Sequence, residues 1–517
     1  MKKNLFNSIQ LSKPKRNAFD LSHAHVTSLN MGNLVPVMCI EAGPGDTISL
    51  GAEAATRFMP LISPVMQRFR QSVHYFKVPM RLLWPNFEKY YTNTPVGDEL
   101  PAFPVITVTN GNWTPLMDYF GIPRPPVGKT TTITAMQFAA YQFIYDNYYR
   151  DQNLIDEVFQ PLLDGNNATQ IGPMTTLRKR AWSHDYFTSA LPTAQRGSPV
   201  DIPLGTVKLV DDLFDGVGAS PRMAKPDGSD SAPGPVTAVG GGSIQAGSGP
   251  DVSPVAYDPD GSLEVGSTTI NDLRRAYRLQ EWLERAIRGG ARFIETIFSH
   301  FGVKSSDARL QRPEYITGVT SNIQISEVLN TTGVIVDDTI NRPQGDMAGH
   351  GVAYMDGRTG STFCEEPCYI IGILSILPDA LYYQGIEKQF TKYDTPFDFY
   401  WPEFANIGEQ EIKNKEVFAY RDGGADEEVF GYTPRYAEYK YMNNRISGDL
   451  RGNLSSWVAP RTFAAELPPV LNQQFIECEP DDSIFAYMLN DVHKVIVNCR
   501  HKVMAVRPMP KYGTPSF

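Results

Sequence analysis

The amino-acid sequence predicts a mainly β protein, a sandwich or jelly roll whose strands are separated by long insertions. Three observations carry this. Apolar residues come in short runs closed by proline and glycine, of which the 517-residue chain has 40 and 42. Two stretches stand out with the length and spacing of amphipathic helices. Finally, a 62-residue stretch from Val207 to Thr268 holds 11 Gly, 7 Pro and 8 Ser, with only Phe214 and Tyr257 as aromatics. So little apolar surface cannot build a core. The fold must therefore carry this stretch as a surface excursion, the kind of segment that serves recognition rather than stability.

Taken in order, Leu34 to Ile40 and Thr47 to Leu50 read as strands flanking Gly43-Pro44-Gly45-Asp46, a hairpin-like turn. Val73 to Val78 is another strand, closed by Pro79. Ala135 to Tyr149 reads as a helix, apolar on most faces and so buried. Ile270 to Arg288 reads as a second helix, with Thr269 and Asp272 as a capping-box-like start and Gly289-Gly290 as the stop. Its apolar stripe is Ile270, Leu273, Ala276, Tyr277, Leu283 and Ile287, and Glu281–Arg285 and Glu284–Arg288 are spaced to pair on the exposed side. Tyr369 to Leu377 reads as a strand buried on both faces, and Lys494 to Val506 as one or two closing strands. No internal repeat is present.

Length alone suggests about three domains, a rule that β folds with large insertions break. The longest apolar run, Tyr369 to Leu377, is far short of the roughly 18 residues of a membrane span. The first ten residues have the charge of a signal peptide without its apolar stretch, so a soluble, cytoplasmically made protein is expected. Five cysteines (Cys39, Cys364, Cys368, Cys478, Cys499) are expected as free thiols. The net charge of −10 is uneven. Lys2, Lys3, Lys13, Lys15 and Arg16 at one end, and Lys494, Arg500, Lys502, Arg507 and Lys511 at the other, stand without an acid among them. An acidic body with basic ends suits a protein that meets a polyanion on one side.

Motifs of catalysis are lacking. Gly128-Lys129-Thr130 has Pro123 where a phosphate loop needs glycine, and reads as a rigid loop before a helix. Gly216-x-Gly218-x-x-Pro221 lacks the third glycine of a dinucleotide fingerprint. His23, His25 and His74 could hold zinc, but packing and hydrogen bonding are the simpler use. No Gly-x-Ser-x-Gly elbow and no distinguishable carboxylate pair occur, so no enzyme is expected. No cofactor is expected either; a structural calcium among the many carboxylates would be unmarked by any EF-hand-type loop. The aromatic stretches Phe397 to Trp401 and Tyr436 to Tyr441 read as core or inter-subunit packing rather than base stacking.

Seven strings, in order, carry a resemblance. They are Phe19-Asp-Leu-Ser-His23, Asn30-Met-Gly-Asn-Leu-Val-Pro36, His74-Tyr-Phe-Lys-Val-Pro79, Arg180-Ala-Trp-Ser-His-Asp-Tyr-Phe-Thr-Ser189, Leu279-Gln-Glu-Trp-Leu-Glu-Arg285, Ala308-Arg-Leu-Gln-Arg-Pro-Glu-Tyr315 and Arg507-Pro-Met-Pro510. Together they resemble the major capsid proteins of gokushoviruses, microviruses that are small icosahedral bacteriophages with single-stranded DNA. The resemblance implies a viral jelly-roll β-barrel of eight antiparallel strands with long inter-strand insertions containing a few helices. It implies one capsid domain over 1–517, its jelly roll built from about 26–206, 269–325 and 366–512, with a basic arm at 1–25. Residues 207–268 would form a threefold protrusion for host attachment, and 330–362 a second variable loop.

The resemblance also implies a T=1 shell around a circular single-stranded DNA genome, assembled in the bacterial cytoplasm and residing in the virion. Its partners would be further copies of the chain, the genome, a small basic DNA-packaging protein, an internal scaffolding protein and a host surface receptor. Lys2, Lys3, Lys13, Lys15, Arg16, Lys494, Arg500 and Lys502 are the expected nucleic-acid-facing residues. Pro221, Pro233, Gly240, Gly241, Gly242, Pro250 and Tyr257 are the expected protrusion residues. The alternative is a receptor- or carbohydrate-binding β-sandwich module that forms no shell.

Overall fold

The computed structural model describes residues 15–92, 99–197, 207–209, 223–224, 236–239, 243–246, 255–256, 263–265, 270–290, 292–304, 306–331, 334–336, 339–342, 344–464, 468–487 and 492–512. Two compact units emerge: residues 1–194 with 287–517, and residues 195–286.

The first unit is built on nine strands: β1 (Asn17–Asp20), β2 (His23–Leu29), β3 (Val35–Ala42), β4 (Thr47–Phe58), β5 (Phe69–Pro79), β6 (Glu314–Leu329), β7 (Met347–Phe363), β8 (Cys368–Pro378) and β9 (Val495–Arg507). All pairings are antiparallel. One set runs β2-β9-β4-β7 and the other β3-β8-β5-β6. Strand β6 joins them, because Glu314–Ile323 pairs with β5 and Gln324–Leu329 pairs with β7. Short β1 adds to the far end of β9. This curled antiparallel sheet is a jelly-roll β-barrel with insertions, as expected.

The order of pairing corrects one sequence reading. Gly43–Asp46 looks like a hairpin turn, yet β3 pairs with β8 while β4 pairs with β9 and β7. The turn is a corner that carries the chain from one set of strands to the other. Gly45 takes a positive φ of 89°, and the Asp46 carboxylate accepts from the Gly43 amide at 3.0 Å. The stretch 330–362, expected as a second variable loop, contains most of the long strand β7. Its alternation is broken by glycines at 349, 351, 357 and 360, so period-two patterning is weak there.

Every residue of β8 is buried. Ile370, Leu374 and Ile376 face the barrel interior with Val37, Leu50, Val73, Val497 and Val503. Tyr369, Ile371 and Ile373 face the other way, into a second core with helix α1 (Met136–Tyr148). The unbroken apolar run follows from that double burial. Helix α1 packs Met136, Phe138, Ala139, Tyr141 and Ile144 into this second core, together with the hairpin Val105–Thr109/Thr130–Thr134. That hairpin places a strand, not a loop, immediately before α1. A third core gathers Trp182, Phe187, Leu377, Tyr382, Phe430 and Phe475 beneath the 379–494 insertion.

Helix α2 (Ile270–Gly289) ends where expected, with Gly290 at φ 94°; Thr269 lies outside the described residues. Glu281 pairs with Arg285 at 3.2 Å, but Arg288 turns to Glu409 and Glu284 accepts from Gln280 instead. Its stripe is covered only at the C-terminal end: Ile287 is buried, while Ile270 and Tyr277 remain 71% and 68% exposed. Helix α3 (Phe293–Phe301) follows.

Within the second unit the glycine-rich excursion carries nested antiparallel pairs. Val207–Leu209 pairs with Leu263–Val265, Met223–Ala224 with Val255–Ala256, and Val236–Val239 with Ser243–Ala246. A ladder of this kind satisfies backbone donors and acceptors without needing apolar side chains. Pro221, Pro233, Gly240, Gly241, Gly242, Pro250 and Tyr257 lie outside the described residues.

Candidate functional site

Among the described residues no group of three or more His, Cys, Asp or Glu could hold a metal, and no helix is long and apolar enough to cross a membrane. The histidines once weighed as zinc ligands have partners elsewhere. His25 Nδ1 lies 3.0 Å from the Val37 carbonyl, and His74 Nδ1 lies 2.8 Å from the Tyr149 hydroxyl.

The basic ends do not form one patch. Lys2, Lys3 and Lys13 lie outside the described residues, while Lys15 and Arg16 are exposed. Lys494 is 2% exposed and its Nζ donates to the Tyr487 carbonyl at 3.0 Å, so it is corrected to a buried structural lysine. Arg500 and Lys502 do project from the outward face of β9. Arg500 sits opposite Glu53 in register, and Lys502 pairs with Glu53 and, at 3.2 Å, with Asp356. Neighbouring acids therefore neutralise much of the charge that sequence alone suggested was free.

Among the described residues, a group of exposed aromatics lies on the 379–494 insertion. Phe390, Tyr393, Phe397, Phe399, Tyr400, Trp401, Tyr439, Tyr441 and Met442 are all exposed, Tyr393 at 72% and Trp401 at 48%. This belt is held rigid. Tyr400 packs on Tyr436 at 5.1 Å, and Phe397 meets Phe404 edge-on at 5.3 Å. The Trp401 indole donates to the Pro396 carbonyl at 2.9 Å, and the Tyr436 hydroxyl to the Phe399 carbonyl at 3.1 Å. Lys392 lies 3.9 Å from the Tyr439 ring centre and pairs with Glu438 at 2.7 Å. Beside the belt opens a cavity of about 380 Å³, lined in part by Tyr186, Phe187, Tyr382 and Tyr441.

Contiguous exposed apolar surface is uncommon on isolated soluble chains and is a feature of interaction surfaces. The structure divides these aromatics: Tyr436 is buried, whereas Phe397, Phe399, Tyr400, Trp401, Tyr439 and Tyr441 are exposed. A family model described as capsid protein (F protein) matches residues 7–517. The chain belongs to that phage capsid family. It is 34% identical to capsid protein VP1 of Bdellovibrio phage phiMH2K, covering 97% of this chain and 95% of that one. It is 31% identical to capsid protein VP1 of Chlamydia phage 1, covering 100% and 98%. Capsid protein VP1 of Spiroplasma virus 4 is 29% identical over 97% and 95%. As a capsid protein the chain is structural, and its surfaces are to be read as contacts of a shell rather than as a catalytic centre.

Proposed function

We propose that this chain is a major capsid protein whose copies close into a T=1 icosahedral shell around a circular single-stranded DNA genome. The exposed aromatic belt on the 379–494 insertion carries the reading. Six half-exposed rings at roughly 100 Å² each offer about 600 Å² to a neighbour. That burial is worth on the order of 15 kcal/mol before costs. Association costs of about 4–15 kcal/mol leave anywhere from about 0 to 11 kcal/mol, so a single contact of this kind can be weak. Weak contacts suffice once each subunit touches several neighbours and the effective concentration rises, and rotational closure turns head-to-tail contacts into rings rather than fibres.

Residues 207–268 serve host attachment as a threefold protrusion, the exposed basic residues meet the genome, and a small basic packaging protein and an internal scaffolding protein assist. Assembly takes place in the bacterial cytoplasm and the mature protein resides in the virion. Electron microscopy of purified protein tests this directly. Uniform closed particles are expected, and Tyr393→Ala combined with Trp401→Ala should reduce their yield at least tenfold with circular dichroism unchanged. Discrete small oligomers from the unaltered chain would favour a receptor- or carbohydrate-binding module instead.

A further inference from the structure

A second pocket, of about 320 Å³, opens in the first unit on the outer side of the β3-β8-β5-β6 strands. Its walls include His74 of β5, Tyr148 and Tyr149 at the end of α1, Tyr315 of β6, and Arg180. The segment bearing Arg180 is pinned by its backbone: the Arg180 amide donates to the Gly32 carbonyl at 2.7 Å, and its carbonyl accepts from the Cys478 amide at 2.8 Å. Arg180 Nη1 donates to Ser72 Oγ and Ser375 Oγ, both at 2.7 Å. Among the described residues no carboxylate lies within ion-pairing distance of this guanidinium, and no acceptor meets its Nε or Nη2. The neighbouring Arg70, by contrast, is matched by Asp379 at 2.8 Å.

A largely buried cation held only by two hydroxyls and a ring face is unusual, because desolvation is normally offset by a carboxylate. Burial, with Arg70 nearby, pulls Arg180 below its ordinary value. Burial and Arg180 together lower His74 to about 4, so that imidazole is neutral at neutral pH. The pocket thus offers fixed positive charge with spare donors. Aromatic faces stand around it. Tyr149 stacks near-parallel to His74 at 6.0 Å, Tyr315 meets His74 edge-on at 5.9 Å, and Tyr315 is 46% exposed.

We propose that this pocket takes one nucleotide of a single strand, its phosphate on Arg180 and its base against Tyr315. The volume is at the small end for ligand sites, of the order of one nucleotide rather than a run of them. Arginine presents a planar fork to phosphate oxygens, and an aromatic face accepts any base that is not locked in a duplex. The inference rests on the reading that the shell encloses single-stranded DNA. It adds a contact on the barrel wall to that of the remaining exposed basic residues, since Lys494 is buried and Lys502 is matched.

The test uses the full-length protein and fluorescent ten-residue oligothymidylate, with anisotropy titrations from 50 to 200 mM salt. Arg180→Gln should weaken binding about tenfold and lower the salt slope by about one, whereas Arg180→Lys restores the slope. Tyr315→Ala, at a half-exposed position that leaves the fold intact, should weaken binding five- to tenfold with the slope unchanged. An oligonucleotide of abasic residues should bind the Tyr315→Ala and unaltered proteins equally. Unchanged affinity for the oligothymidylate in both variants overturns the proposal. Closed particles formed by variants with undiminished DNA affinity would sink this site alone. Failure of the unaltered protein to form particles would sink the capsid reading itself.

Discussion

His501 shows how a single side chain can tie two sets of strands together. It is fully buried on β9, where its Nε2 donates to the Val37 carbonyl at 3.1 Å. Nδ1 is then an acceptor, and takes the Tyr75 hydroxyl at 2.7 Å. Burial, with His23 and His25 nearby, lowers the ring to about 4. The unfolded chain takes up this proton near pH 6.5 but the folded chain only near pH 4. The contribution is therefore complete above pH 6.5 and is lost as pH falls to about 4, by about 3 kcal/mol. His501→Gln should flatten that acid limb, as measured by denaturant midpoints at several pH values; an unchanged limb would remove His501 from the account. Lys494 teaches the converse, since a lysine in a basic stretch reads as free charge until its burial is seen.

At the scale of elements, legibility followed periodicity. Strand β8 and helix α1 were readable because both are apolar over nearly their whole length, and each proves buried on more than one side. Ile371 fills the core between them with no measurable exposure. Replacing it with alanine should cost about 2–5 kcal/mol in chemical denaturation; a loss below 1 kcal/mol would mean that this core collapses around the gap. Strand β7 was missed because its glycines erase alternation, and the corner at Gly43–Asp46 was misread because a turn sequence does not say which strands it joins. The aromatic belt was half legible: its rings were plain, but side-chain type is the same for a core and for an interface.

For the whole molecule, the chain divides into a barrel unit and a unit holding the excursion, and the proposed roles of shell and attachment can be tested apart. Deleting residues 220–255 should leave closed particles in electron micrographs and abolish adsorption to host cells; loss of the particles would show that the excursion belongs to the shell. The basic N-terminal residues make a separate prediction. Removing residues 1–16 takes away five positive charges and no acid. If all five engage single-stranded DNA, the salt slope of binding should fall by about 3.5. An unchanged slope would leave the barrel wall as the main contact.

The sequence by itself determined a β-rich chain with short strands, two patterned helices and one excursion too polar to have a core, because periodicity and composition act locally. Its ordered strings also pointed to the capsid family. Only the tertiary structure decided which strands pair, which lysines are spent on carbonyls and carboxylates, and which aromatics stay outside. Those outcomes depend on residues hundreds of positions apart: Lys502 meets Glu53, Arg180 lies against Ser72 and Ser375, and Tyr75 reaches His501. No local pattern encodes such distances.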